Sequence, residues 1–178
     1  MSFVTARGAT YELEEPPYWH LTQRNDILLH NARLGEGICW TASVLAEQPG
    51  MQDVVTRYSL LRHDTSREHR FEAIRRRHFL DQPSRDKALF LFVSKDDAQR
   101  GVREWFPTEA RQAVEVLIVA GGRWHRADAR WLDRPPAEWD NSARSYWAGE
   151  ITADPRLEVI AHGGLYFPEW RTFSLLTP

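Results

Sequence analysis

The chain has 178 residues, enough for one domain with a substantial core and too few to expect two domains without a visible linker. Hydrophobic residues make up 42 % and charged residues 27 %, which is ordinary globular usage and argues against a disordered or coiled-coil protein. The formal net charge of −2 gives no overall attraction to nucleic acid or to an anionic membrane. We therefore expect a single domain over residues 1–178.

Cysteine content and the first residues of the chain predict the cellular compartment of the protein. Cys39 is the only cysteine, which excludes a disulfide framework and a cysteine-based zinc site. The opening residues contain no apolar segment of the signal-peptide kind, and no apolar run approaches the length of a membrane span. We expect a cytoplasmic protein with no membrane partner.

Strand signals come first along the chain. The segment Tyr11–Thr22 is predicted to be extended on both sides of its two central prolines, so that His20 is carried by a strand. The following stretch, residues 25–40, mixes short apolar runs with glycines. Its pattern is compatible with a short helix or a strand.

Helical spacing dominates the next part of the sequence. Apolar residues recur with this spacing over Met51–His78, with a break near residues 64–66, and this pattern predicts two helices. The nearly continuous apolar run of Lys87–Ser94 then predicts a buried strand, because it is too short for a core helix. A short helix is predicted from Asp96 to Trp105.

Two hairpins are predicted in the second half. One joins Ala113–Ala120 to Arg123–Arg126, the other joins Leu157–Ala161 to Leu165–Phe167, and each has a Gly-Gly pair at its turn. A short helix over Ser142–Ala148 lies between them. Helices early, strands later and two hairpins predict an α+β domain with a split, mainly antiparallel sheet and peripheral helices.

Several common site types are not supported by the sequence. No G-x-G-x-x-G follows a strand and no P-loop occurs, which argues against Rossmann and P-loop nucleotide sites. His63, His69 and His78 lack the spacing of a helix-borne zinc pair, and H-E-x-x-H is absent. No G-x-S-x-G elbow is present, so a serine hydrolase is not predicted either.

Three short segments, taken in order, resemble a known superfamily. They are Tyr18–Thr22 (Tyr-Trp-His-Leu-Thr), Phe92-Val93-Ser94 followed by Ala98, and the C-terminal Leu-Glu-Val-Ile that contains Glu158. This order resembles the ADP-ribosyltransferase superfamily in its diphtheria-toxin and PARP-like branch, whose motif is His-Tyr-Glu. The stretch from Phe71 to Phe92, with the later Tyr-Trp-Ala-Gly at 146–149, also resembles an uncharacterised bacterial family with the same fold.

The resemblance implies an NAD-dependent ADP-ribosyltransferase, of the kind found in bacterial toxins and effectors, with an ADP-ribose acceptor that stays open. It implies that Glu158 and His20 are catalytic, Glu158 stabilising positive charge on the ribose and His20 binding a ribose hydroxyl. Glu150 is the alternative acid. It further implies an aromatic ring, that of Phe92, stacked on nicotinamide and an arginine, Arg85 or Arg33, paired with the pyrophosphate. The implied cofactor-binding residues are His20, Leu21, Thr22, Arg33, Ser84, Arg85, Phe90, Phe92 and Tyr146.

The sequence departs from the superfamily pattern at one site. Phe92 or Phe90 stands where tyrosine is usual, so that stacking survives and the hydroxyl hydrogen bond is lost. Structural interpretations stand beside the functional ones: both phenylalanines are core residues by default, and Ser84 and Arg85 could pair with Glu72.

Two other functions fit the same fold. One is a non-catalytic binding protein that uses the arginine-rich region Arg57–Arg85 for an anionic partner such as nucleic acid. The other is an RNA 2′-phosphotransferase, which uses NAD with a different acceptor. It needs extra basic residues around the phosphate, and the sequence shows no convincing motif for them.

Overall fold

A computed structural model describes residues 2–24, 26–54, 56 and 65–175. The chain divides into two compact units. The first unit contains residues 1–40, 91–122 and 163–178, and the second contains residues 41–90 and 123–162. Helices and mostly antiparallel strands occur together, which confirms the α+β class.

The described residues form eight strands and five α-helices. The strands are β1 (Ser2–Ala6), β2 (Ala9–Gln23), β3 (Ile38–Trp40), β4 (Leu89–Leu91), β5 (Arg111–Val119), β6 (Arg123–Asp128), β7 (Leu157–His162) and β8 (Gly164–Tyr166). The helices are α1 (Ile27–Leu34), α2 (Ala42–Leu45), α3 (Ser66–His78), α4 (Lys95–Trp105) and α5 (Trp139–Trp147). Of the two helices predicted over residues 51–78, the second is α3, and most of the first lies outside the described residues.

The first unit is built on a five-stranded antiparallel sheet with the order β1-β2-β5-β8-β3. Strand β2 continues through the two prolines because its register shifts between Glu14 and Tyr18, so the prolines fall where the ladder is interrupted. Helix α4 packs against one face of the sheet, where Ala98 contacts Leu21 and Phe92.

The second unit combines a three-stranded sheet, in the order β4-β7-β6, with α3 and α5. Its core contains Phe71 and Ile74 of α3, Tyr146 and Trp147 of α5, and Ile160 of β7. The four central residues of β7 are all buried, so this strand is covered on both faces. The core therefore lies between the sheet and the two helices.

Both predicted hairpins are wrong. Strand β5 pairs with β2 and β8, whereas β6 pairs with β7, so the chain passes from one sheet to the other at each Gly-Gly pair. A glycine pair specifies a tight turn but does not specify the neighbouring strand, which depends on long-range burial. The two turns meet in the first unit, where a Cβ on Gly163 would lie 2.8 Å from Cα of Gly122.

We expect Gly163→Ala to lower the free energy of unfolding by about 2–4 kcal/mol, because the added Cβ would clash with backbone and φ is +151°. The measurement is urea unfolding. Gly8→Ala is the matched control: its φ is +79° and its added Cβ would meet nothing within 4 Å, so about 1 kcal/mol is expected. Equal losses in the two variants would show that the contact between the turns does not constrain the fold.

Candidate functional site

Four polar side chains are buried together in the second unit, and we call them the Arg85 network. They come from four different segments: Glu68 from α3, Arg85 from the loop before β4, Tyr146 from α5 and Glu158 from β7. None of these residues is more than 7 % exposed. Charged side chains are this deeply buried only when they are paired, so their contacts decide what they can do.

Arg85 is the centre of the network. Its Nε donates to Oε2 of Glu68 at 3.0 Å, and its Nη1 donates both to the hydroxyl of Tyr146 and to Oε1 of Glu158. The Tyr146 hydroxyl in turn donates to the same Oε1 at 2.6 Å. One planar guanidinium thereby links two carboxylates that belong to a helix and a strand.

The two oxygens of the Glu158 carboxylate have different environments. Oε1 accepts from Arg85 and Tyr146, whereas no described residue makes a hydrogen bond to Oε2. Across the strand pair Glu158 lies opposite Ala127. Glu158 is therefore held at one oxygen, and the other can accept a hydrogen bond or face a positive charge.

The guanidinium of Arg85 lies over two aromatic rings. Its carbon lies 4.9 Å from the ring centroid of Phe90 and 5.2 Å from that of Tyr146. The Tyr146 ring is itself packed edge-on against Phe71 and Trp147, at centroid distances of 5.6 and 4.9 Å. Rings that are fixed by the core leave Arg85 little freedom to move.

Burial changes the protonation behaviour of two residues at this site. Desolvation raises the pKa of Tyr146 well above its usual value, with the Glu158 carboxylate adding to the effect and Arg85 opposing it. Tyr146 therefore stays a hydroxyl donor. Desolvation lowers the pKa of His125, whose Nε2 donates to the carbonyl oxygen of Tyr146 at 3.0 Å.

The structure brings together four of the predicted site residues, namely Arg85, Phe90, Tyr146 and Glu158. Ser84 is directed elsewhere, because its hydroxyl donates to Glu72 at 3.0 Å, as the structural interpretation of the sequence anticipated. Arg85 pairs with Glu68 and Glu158 rather than with Glu72. Glu150, the alternative acid, is exposed, and its backbone carbonyl accepts a hydrogen bond from Trp131.

In the first unit, the predicted residues of β2 point to different faces of the sheet. His20 is half-buried and lies opposite Val114 of β5, whereas Leu21 shares the other face with Phe92 and Ala98. Phe92 is 6 % exposed and its ring packs 5.5 Å from that of Trp105. The stacking role implied for Phe92 stays a prediction, and the described contacts are those of a core residue.

The other two predicted residues of this unit bind groups within it. Thr22 is buried and its hydroxyl donates to the carbonyl of Gln23 at 3.4 Å. Arg33 donates to the carbonyl of Arg171, and its guanidinium lies 5.5 Å from the ring of Trp170. A pyrophosphate role for Arg33 is untested.

Sequence reasoning missed Glu68 and His125. Glu68 lies in the first turn of α3, where the helix dipole favours an acidic residue, and the structure buries it at 4 % exposure. The available signal was its spacing: Glu68 precedes Phe71 by three positions and Ile74 by six, on the buried stripe of the helix. A charged residue on such a stripe predicts a buried partner.

The arginine-rich region is largely neutralised where it is described. Arg75 and Arg76 both pair with Glu72, and Arg70 pairs with Asp140. Arg57 and Arg62 lie outside the described residues. A nucleic-acid partner for this region stays a prediction.

Two kinds of feature are absent from the described ranges. These ranges contain no group of three or more histidine, cysteine, aspartate or glutamate side chains that could hold a metal ion. They also contain no helix with the length and apolar character needed to cross a membrane.

A family model described as "Protein of unknown function (DUF2441)" matches residues 40–167, more than two thirds of the chain. The match includes every member of the Arg85 network. No curated protein matches the chain.

We expect Arg85→Met to lower the free energy of unfolding by about 3–5 kcal/mol, because Glu158 would be left buried without its counter-charge and Glu68 would keep only its pair with Arg67. Urea unfolding measures this loss. Arg75→Met is the matched control, since Glu72 keeps its contacts with Arg76 and Ser84, and about 1 kcal/mol is expected. Similar losses in both variants would contradict a central role for Arg85.

His125 predicts a dependence of stability on pH. Because the pKa of His125 is lowered, the folded state favours the neutral ring. The stability that His125 contributes is therefore fully present above the pKa of about 6.5 that it has in the unfolded chain, and it is lost as the pH falls below that value. Between pH 7.5 and 5.5, His125→Gln should therefore lose less stability than the unsubstituted chain. The control is His69→Gln, which replaces an exposed histidine. An unchanged pH profile in His125→Gln would contradict this prediction.

Proposed function

This chain belongs to the DUF2441 family of unknown function, and we propose that it is an NAD-dependent ADP-ribosyltransferase with an ADP-ribosyltransferase-like fold. The proposal assigns the catalytic carboxylate to Glu158 and the binding of a ribose hydroxyl to His20. The acceptor is a macromolecule or a small molecule. The observation that carries the proposal is the asymmetric environment of the Glu158 carboxylate.

The chemistry explains why that carboxylate matters. NAD supplies the ADP-ribosyl group, and cleavage of its nicotinamide–ribose bond develops positive charge on the ribose. A fixed carboxylate stabilises this charge most when it is held in place before the reaction begins. Glu158 has these properties, because Oε1 is anchored by two donors and Oε2 makes no hydrogen bond to a described residue. A freely rotating surface glutamate lacks them.

The predicted site residues differ in how well their surroundings suit the binding of NAD. Glu158 offers an oxygen to a ribose, and His20 is half-buried on a strand, where an imidazole can bind a hydroxyl. Arg85 fits a pyrophosphate poorly, because its Nε and Nη1 already donate to protein groups. Phe92 fits nicotinamide poorly because its ring belongs to a core cluster. The proposal therefore rests on Glu158, and the role of His20 stays a prediction.

One observation favours a second candidate, a non-catalytic binding protein with the same fold. Arg85 balances two buried carboxylates, and networks of this kind also occur as purely structural elements of a core. In that case Glu158 would hold β7 to α5 and would meet no ligand. The two candidates differ in whether NAD is bound and cleaved.

We expect Glu158→Gln to reduce nicotinamide release from NAD by at least about 100-fold, because the amide carries no negative charge to stabilise the ribose. The measurement is nicotinamide release by the purified protein with and without cell lysate, which supplies acceptors. Glu150→Gln is the matched control, since it removes the exposed alternative acid, and its rate should equal that of the unsubstituted protein.

Release that depends on Glu158 and rises with lysate supports a transferase. Release that depends on Glu150 instead would move the catalytic role to that residue. No release under either condition, together with no increase of the melting temperature by NAD, would contradict the proposal and favour the binding protein.

A further inference from the structure

We infer that Arg85, Glu68 and Tyr146 are positioning residues that fix the Glu158 carboxylate with Oε2 directed toward the reacting ribose. The inference rests on the proposed function and deepens it. It replaces the role first assigned to Arg85: the guanidinium acts through Glu158 and does not bind the pyrophosphate.

The Glu158 side chain can rotate unless its contacts fix it. A glutamate side chain has three rotatable torsions, and a strand backbone fixes only its starting point. The contacts from Arg85 and Tyr146 meet at the same oxygen from two different segments of the chain. Two donors converging on Oε1 set both the position and the rotation of the carboxylate, so Oε2 has a defined direction.

Arg85 is itself held in place by several contacts. Its Nε edge is held by Glu68 at 3.0 Å, while its faces lie against the rings of Phe90 and Tyr146. Glu68 is a rigid anchor, because it is 4 % exposed on a helix whose next turn buries Phe71. The orientation of Glu158 is thereby transmitted from α3 through the plane of the guanidinium.

Two of the buried groups, Glu68 and Glu158, carry like charges. Glu68 and Glu158 would repel each other in this buried region without the guanidinium between them. Arg85 contacts both carboxylates and offsets part of their negative charge, and Glu68 is also paired with Arg67 at 3.5 Å. Tyr146 adds a hydrogen bond without adding charge, because its raised pKa keeps the hydroxyl protonated. Glu68, Arg85 and Tyr146 thus orient the Glu158 carboxylate and leave Oε2 for a ligand.

This arrangement predicts different results for two conservative variants. Arg85→Lys keeps the positive charge but cannot reach Glu68 and Glu158 with a planar fork. Tyr146→Phe keeps Arg85 intact and removes one of the two donors to Oε1. Both should disturb the alignment of the carboxylate while leaving NAD binding to other residues intact.

The test compares steady-state NAD cleavage and NAD binding in these variants. We expect kcat to fall about 100-fold in Arg85→Lys and about 10-fold in Tyr146→Phe, with KM unchanged within about twofold. The increase of the melting temperature by NAD should match that of the unsubstituted protein. Arg75→Lys is the matched control, because Arg75 is a half-buried, ion-paired arginine of the same unit outside the network, and it should keep the full kcat.

The outcomes separate this inference from the proposed function. Full kcat in folded Arg85→Lys and Tyr146→Phe, with turnover still dependent on Glu158, would overturn the positioning role alone. A loss of NAD affinity without a loss of kcat in Arg85→Lys would also overturn it, because Arg85 would then bind the cofactor. Absence of Glu158-dependent turnover in the unsubstituted protein would overturn the proposed function and this inference with it. If Arg85→Lys does not fold, Tyr146→Phe decides.

Discussion

The ion pairs of Arg85 with Glu68 and Glu158 are the constraint on which the second unit depends. A buried arginine is tolerated only when its donors meet acceptors, and here the acceptors come from a helix and a strand that are distant in sequence. The pairs stabilise the fold only in the native arrangement, since removing one partner leaves an uncompensated charge in the core. They therefore specify how α3, α5 and β7 pack together, in addition to the apolar contacts of the same core.

The same contacts relate the fold of the second unit to the proposed function of Glu158. An interaction that only stabilised the core would satisfy both oxygens of each carboxylate as fully as the packing allowed. Glu158 instead has two donors on one oxygen and no described hydrogen bond on the other. We interpret this asymmetry as the preorganisation that a charge-stabilising carboxylate requires. Stability and catalysis would then be linked, because a substitution that frees the carboxylate also exposes a charge imbalance in the core.

Local patterns in the sequence predicted the elements well and their partners poorly. Helical spacing over residues 66–78 and the apolar run before Ser94 both correspond to observed elements, because each is decided by nearby residues. Each Gly-Gly pair lies where one strand ends and the next begins, but the strands on either side belong to different sheets. Strand partners depend on burial across the whole chain, which no local pattern contains. Glu158 could be identified by the resemblance, whereas Glu68 required knowledge of which helix face is buried.

The most direct measurement is a crystal structure of the protein with an unreactive NAD analogue. Our account predicts that Oε2 of Glu158 lies within hydrogen-bonding distance of the ribose that carries the nicotinamide, while Oε1 keeps its contacts with Arg85 and Tyr146. A structure in which Arg85 leaves Glu158 to pair with the pyrophosphate would contradict the positioning role. A structure in which the analogue binds away from Glu158, or does not bind at all, would contradict the proposed activity.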